Sequence, residues 1–168
     1  MKRVLRPGVA LVTALLLLAT ATAVVLAQDS LLGGKLRTGD MITVPADETV
    51  DGDLYLIAGT LTMDGTVDGD LVAMGGQVQV NGAVTGDVLT AGGTVSITGE
   101  VGGDVRTAGG QVTVSAPIAE DLVTAGGQLT LASGGSVGED LIISGGSVSV
   151  AGNVTGNIEA SAGTYSRS

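Results

Sequence analysis

From Val50 onward the chain repeats itself every 17 residues, and a period of that length restricts the fold more than any single motif does. VDGDLYLIAGTLTMDGT, VDGDLVAMGGQVQVNGA, VTGDVLTAGGTVSITGE and VGGDVRTAGGQVTVSAP follow one another directly. IAEDLVTAGGQLTLASGGS then carries two extra residues around Ser133 to Ser136, VGEDLIISGGSVSVAGN returns to 17, and VTGNIEASAGTY is incomplete. A unit this short cannot bury a core alone, so about seven copies must stack on one another.

The columns of the alignment say which positions face inward. Counting from Val50, the first position holds Val50, Val67, Val84, Val101, Ile118, Val137 and Val154, and the fifth holds Leu54, Leu71, Val88, Val105, Leu122, Leu141 and Ile158. The twelfth and fourteenth positions, such as Val95 and Ile97, are also apolar, with polar residues between them. Alternation of this kind in β-branched residues predicts strands. Paired glycines such as Gly75-Gly76 and Gly92-Gly93 mark corners that need either positive φ or a close approach of backbones. The expected architecture is all-β, a single-stranded parallel β-helix over residues 50–168. Residues 28–49 keep traces of the pattern without its spacing and are expected to cap the first coil.

Residues 1–27 read as a signal peptide or an N-terminal membrane anchor. Lys2, Arg3 and Arg6 precede an apolar stretch, and Val25-Leu26-Ala27 ends it with small residues before Gln28. The chain is thus expected to be exported: extracellular, periplasmic, or tethered to the outer side of the cell membrane. Without residues 1–27, four basic residues remain against 17 acidic ones, a net charge of −13 that disfavours nucleic acid and anionic lipid. The chain has no Cys and no His, which excludes thiolate and imidazole metal ligands, cysteine nucleophiles and histidine bases.

The repeat V-x-G-D-[LV]-x-x-x-G-G-x-[VL]-x-[VIL] resembles that of the bactofilins and related polymer-forming proteins, over Val50 to Tyr165. The resemblance implies a right-handed β-helix of stacked triangular coils that self-assembles without nucleotide. It also implies no cofactor. The chain departs from that family in its N-terminal leader, and it has no Phe for the terminal-coil contact the family uses. Enzymatic solenoids fit less well. Acyltransferase β-helices repeat an aliphatic residue every six positions, whereas Ala73 and Gln79 follow Val67 at those offsets. Polysaccharide-cleaving solenoids need basic or paired acidic groups beside aromatic platforms. The expectation is a non-enzymatic structural protein of the cell envelope.

Four features are candidates for function. Asp53, Asp70, Asp87, Asp104, Asp121 and Asp140 form a column that Asn157 continues. These carboxylates are expected either to accept backbone N–H groups in their own Gly-Asp corners or to bridge cations such as Ca²⁺, which would make a Ca-stabilised spacer. The outward residues of the last strand in each coil, such as Thr60, Gln77, Thr94 and Gln111, make a flat uncharged face like those of adhesins and ice-binding solenoids. Tyr55, Ile57, Val72, Met74, Leu89, Val123 and Ile142 should form an apolar outer strip interrupted by Arg106 and Glu159, which lateral pairing of two solenoids would cover. The last coil keeps Val154, Ile158 and Tyr165 with no evident blocking charge on its strands. End-to-end self-association is therefore expected there, tail to tail if the N-terminal cap blocks the other end.

Overall fold

The computed structural model describes residues 35–168, and every element in them is a β-strand. The expectation for residues 1–27 falls outside the described residues. Eight ten-residue strands stack in one parallel sheet: β1 (Lys35–Val44), β3 (Leu54–Met63), β5 (Leu71–Val80), β6 (Val88–Ile97), β7 (Val105–Val114), β9 (Leu122–Leu131), β11 (Leu141–Val150) and β13 (Ile158–Arg167). Short strands β2 (Thr49–Asp51), β4 (Thr66–Asp68), β8 (Pro117–Ile118), β10 (Ser136–Val137) and β12 (Asn153–Val154) lie between them. With the bridges Val67↔Val84, Val84↔Val101 and Val101↔Ile118, they carry the first repeat column from Val50 to Val154. The described residues form a β-solenoid of eight turns, one more than the repeat alignment counts.

Each long strand turns a corner within its length. In β5 the buried residues are Leu71 and Ala73, then Val78 and Val80, so inward positions change from odd to even numbers midway. A straight strand keeps one parity along a face; the change is possible only because the backbone bends at Gly75-Gly76. These glycines are not there for positive φ, which among the described residues occurs only at Gly52 and Gly69. They are there for space. A Cβ on Gly92 would lie 2.7 Å from the carbonyl oxygen of Gly75 in the turn below, and one on Gly109 would lie 2.8 Å from that of Gly92.

The core is a narrow aliphatic column made of the four predicted positions and one more. The seventh repeat position also points inward, as Leu56, Ala73, Thr90, Thr107, Thr124 and Ile143. Thr90, Thr107 and Thr124 are 0%, 3% and 4% exposed, so hydroxyls stand where a core normally excludes them. Thr90 Oγ1 donates to Thr107 Oγ1 at 2.8 Å, while Thr124 Oγ1 has no partner.

Two details differ from expectation. Lys35–Val44, within the segment read as a cap, is a strand in register with the repeat, Lys35 beside Leu54 and Val44 beside Met63. Its spacing looks irregular because two extra residues sit at the next corner, where Glu48 N–H closes a turn onto Pro45 O at 2.9 Å. The insertion near Ser133 uses the same corner and the same device, Gly135 N–H to Ala132 O at 2.8 Å. The last coil is also longer than it looked: β13 pairs with β11 through Arg167, beside Val150. A charge therefore does stand in the fourteenth column of the terminal coil, contrary to the expectation of none.

Candidate functional site

The aspartate column is the most regular polar feature of the molecule, and its geometry corrects the expected turn. Each carboxylate reaches not into its own corner but up to the next coil. Asp53 Oδ1 accepts the backbone N–H of Asp70 at 3.1 Å, Asp70 Oδ1 that of Asp87 at 2.9 Å, and Asp87 Oδ1 that of Asp104 at 2.9 Å. Asp104, Asp121 and Asp140 continue the pattern to Asp121, Asp140 and Asn157 at 3.0, 2.8 and 2.7 Å. The carbonyl of the same upper residue is already engaged below, as in Leu71 N–H to Asp87 O at 2.8 Å. Aspartate thus supplies the acceptor that the backbone ladder lacks at this corner, and each bond to a charged acceptor offsets some of the repulsion along the stack.

The column has one cation within it and a distinct end. Arg106 Nη2 lies 2.6 Å from Asp104 Oδ2, and its Nη1 lies 3.7 Å from Asp87 Oδ2. At the C-terminal turn Asn157 Nδ2 donates back to Asp140 Oδ1 at 3.1 Å, so the last side chain folds onto the coil before it. Burial, with Asp53 and Asp70 nearby, pushes the Tyr55 phenol above its ordinary pKa. Among the described residues no three acidic side chains converge as a metal-binding group. The stack is a ladder of single carboxylates, each with one oxygen committed to a backbone N–H.

Two shorter ladders reinforce neighbouring corners. Asn81 Nδ2 donates to Asp64 Oδ1 at 2.7 Å and Thr98 Oγ1 to Asn81 Oδ1 at 3.0 Å, while Thr85 Oγ1 donates to Asp68 Oδ1 at 3.0 Å. The predicted polar face is present in register: Thr60, Gln77, Thr94, Gln111 and Gln128 run up one column, all exposed but Thr60, which is half-buried.

The self-assembly candidates lie together at one end of the stack. Val154 and Ile158 are half-buried and Tyr165 is 44% exposed, because β13 is the outermost strand of the sheet and nothing described covers its far side. At the opposite end β1 places Lys35 and Arg37 in the fifth and seventh columns, where inner coils carry aliphatic or small residues. Arg37 pairs with Glu48, which holds the Glu48 carboxyl below the usual carboxylate range, mainly through the side-chain hydrogen bond. No family model, curated protein or solved structure matches this chain.

Proposed function

We propose that this chain is a non-enzymatic scaffold protein of the cell envelope, a bactofilin-like solenoid that is exported and associates with copies of itself through its terminal coil. The observation that carries the reading is the outer edge of β13, a ten-residue strand paired with β11 on one side and with no described partner on the other, which carries Ile158 and Tyr165 in core columns. An open edge of that length templates further pairing.

The in-out pattern of the strand favours a tail-to-tail contact. Inward residues are the first, third, eighth and tenth of each inner long strand, a pattern symmetric about its midpoint. A twofold axis through the β13 corner would therefore bring inward residues over inward residues. Ala160 would meet Tyr165 of the second copy, small against large, and Ile158 would meet the stem of its Arg167. Residues 1–27 would deliver the chain across the membrane or hold it there.

Sedimentation of the purified chain and of Ile158→Arg tests the reading. The wild type should associate with rising concentration, and the variant should lose that association while keeping its β-type circular dichroism. A wild type that stays monomeric at high concentration would leave a passive spacer as the better description.

A further inference from the structure

Alternate residues of the first arm of each long strand, repeat positions six and eight, point away from the core. In the sixth position stand Leu36, Tyr55, Val72, Leu89, Arg106, Val123, Ile142 and Glu159, in register from one turn to the next. None of these is buried, and Leu36 and Ile142 are 44% and 38% exposed. In a chain with 17 acidic residues, these two columns hold a single carboxylate, Glu159, on the last turn. Arg106 does not break the apolar character of the strip, because its guanidinium turns aside to Asp104 and Asp87 and leaves its stem on the face.

The eighth position has a size gradient. Thr38 stands on the first turn, Ile57 and Met74 follow as the tallest members, then Ala91, Ala108 and Ala125, and Ser144 and Ser161 end the column. A face that is high at one end and low at the other does not pack against a parallel copy of itself, since tall would meet tall and short would meet short. Turned end for end, it does.

We infer that this face is a lateral interface between two copies of the chain running antiparallel, related by a twofold axis that passes between the turns of Leu89 and Arg106. In that arrangement each column lies over its own counterpart with the turn order reversed. Met74 lies over Ala125 of the second copy, Ile57 over its Ser144, and Ala91 over its Ala108. Val72 meets the second copy's Val123, and Tyr55 its Ile142. The contact is tall on short in one column; in the other, the pairs Val72–Val123 and Tyr55–Ile142 are apolar on apolar, Leu89 lies over the stem of Arg106, and Leu36 at the outer end lies over Glu159.

The area agrees with this occupant. Eight turns at about 4.8 Å give a face about 38 Å long, and an arm of five residues is about 16 Å wide. Two such faces bury about 1,200 Å², above the roughly 1,000 Å² that a specific interface needs. The same twofold brings the two aspartate columns toward each other along one border. Each column holds six carboxylates and one guanidinium, Arg106, which sits beside Asp87 and Asp104 next to the axis and offsets part of the repulsion between the two copies there. The interface is separate from the β13 edge and does not rest on end-to-end association.

Cysteine cross-linking in the full chain tests the arrangement, helped by the absence of native Cys. Met74 and Ala125 stand three turns apart, about 14 Å, too far for a disulfide within one chain, which requires Cα atoms within about 7 Å. Met74→Cys combined with Ala125→Cys should convert under mild oxidation to a covalent dimer, whereas either single variant should not. Val72→Glu added to the double variant should cut the cross-linked fraction at least tenfold. A double variant that fails to cross-link, or a single variant that cross-links as well as the double, overturns the antiparallel interface. If Val72→Glu loses its β-type circular dichroism, Ile142→Glu, at a more exposed position, takes its place and must lower the cross-linked fraction in the same way.

Discussion

The two ends of the solenoid are built from the same strand position and finished differently. At the N-terminal turn Val44 occupies the fourteenth column and is 0% exposed, next to the corner that Glu48 N–H closes onto Pro45 O. At the C-terminal turn the same column holds Arg167, which is exposed, and Ile158 is the only half-buried residue among the inward positions of β13. The N-terminal turn closes by one corner insertion and by charges in core columns, Lys35 and Arg37, the second tied to Glu48. The C-terminal turn keeps Val154, Ile158, Ala160 and Tyr165 in four of its five core columns. In a repeat protein each turn stabilises the next, so what finishes an end decides whether the stack stops there.

The difference is largest for a buried charge. Val44→Asp should cost on the order of 3–5 kcal/mol, because its carboxylate would stand unpaired among aliphatic side chains. Ile158→Asp, in a core column of the last turn, should cost under about 1 kcal/mol because solvent reaches it. Urea melts of both variants check the contrast. Equal losses would mean that the C-terminal turn is as closed as the first.

The aspartate ladder sharpens the same comparison because it points one way. Asp104→Ala removes the acceptor of Asp121 N–H and the partner of Arg106, and should destabilise by about 2 kcal/mol. Asp104→Asn keeps an oxygen acceptor and should lose less than half as much. Asn157→Ala, where the ladder ends, should change stability by less than about 0.5 kcal/mol. Thermal melts in millimolar Ca²⁺ and in chelator should superimpose for the wild type, since one oxygen of every carboxylate already accepts a backbone N–H. A large rise in melting temperature with Ca²⁺ would replace this account with a metal-bridged stack.

The periodic part of the molecule was legible in the sequence because the repeat in sequence is the repeat in space. Val50, Leu54, Leu61 and Met63 each open a column that the structure buries. The seventh column escaped notice because Thr90, Thr107 and Thr124 read as outward residues by polarity, and only their inward neighbours reveal where they point. The first turn escaped for two reasons: Lys35 and Arg37 break the apolar columns, and the Pro45–Glu48 corner shifts the spacing from 17 to 19. The partner of each aspartate could not be read linearly at all. A side chain reaching 17 residues along the chain looks, in sequence, no different from one bonding its own turn.

The threonine column gives two substitutions of opposite sign. Thr124 Oγ1 is buried without a partner, and the space around it admits no water. Thr124→Val, nearly isosteric, should stabilise the protein by about 1 kcal/mol. Thr107→Val removes the acceptor of the Thr90 hydroxyl and should destabilise by about the same amount, leaving a second orphaned donor. If both variants gain stability, the Thr90–Thr107 bond contributes nothing and the column is a packing feature alone.

The smallest effect belongs to the ion pair that finishes the N-terminal end. Arg37 stays protonated at all accessible pH values, so only Glu48 titrates. Its carboxyl is held below its ordinary value chiefly by the hydrogen bond from Arg37, with partial burial acting the other way. A carboxylate whose folded pKa is depressed stabilises the fold fully above its unfolded pKa, about 4.3, and loses that contribution as pH falls through the lower folded value. The pair is partly exposed and screened by solvent, so whole-protein melts will scarcely register it. Amide exchange on β1 will register it, since opening of the first turn alone breaks the pair. Between pH 5 and pH 3 the protection of β1 amides, corrected for intrinsic exchange, should fall more in the wild type than in Glu48→Gln, while β7 amides change equally in both. Parallel loss of protection in the two proteins would show that Lys35 and Arg37 close this end by occupying core columns, without help from Glu48.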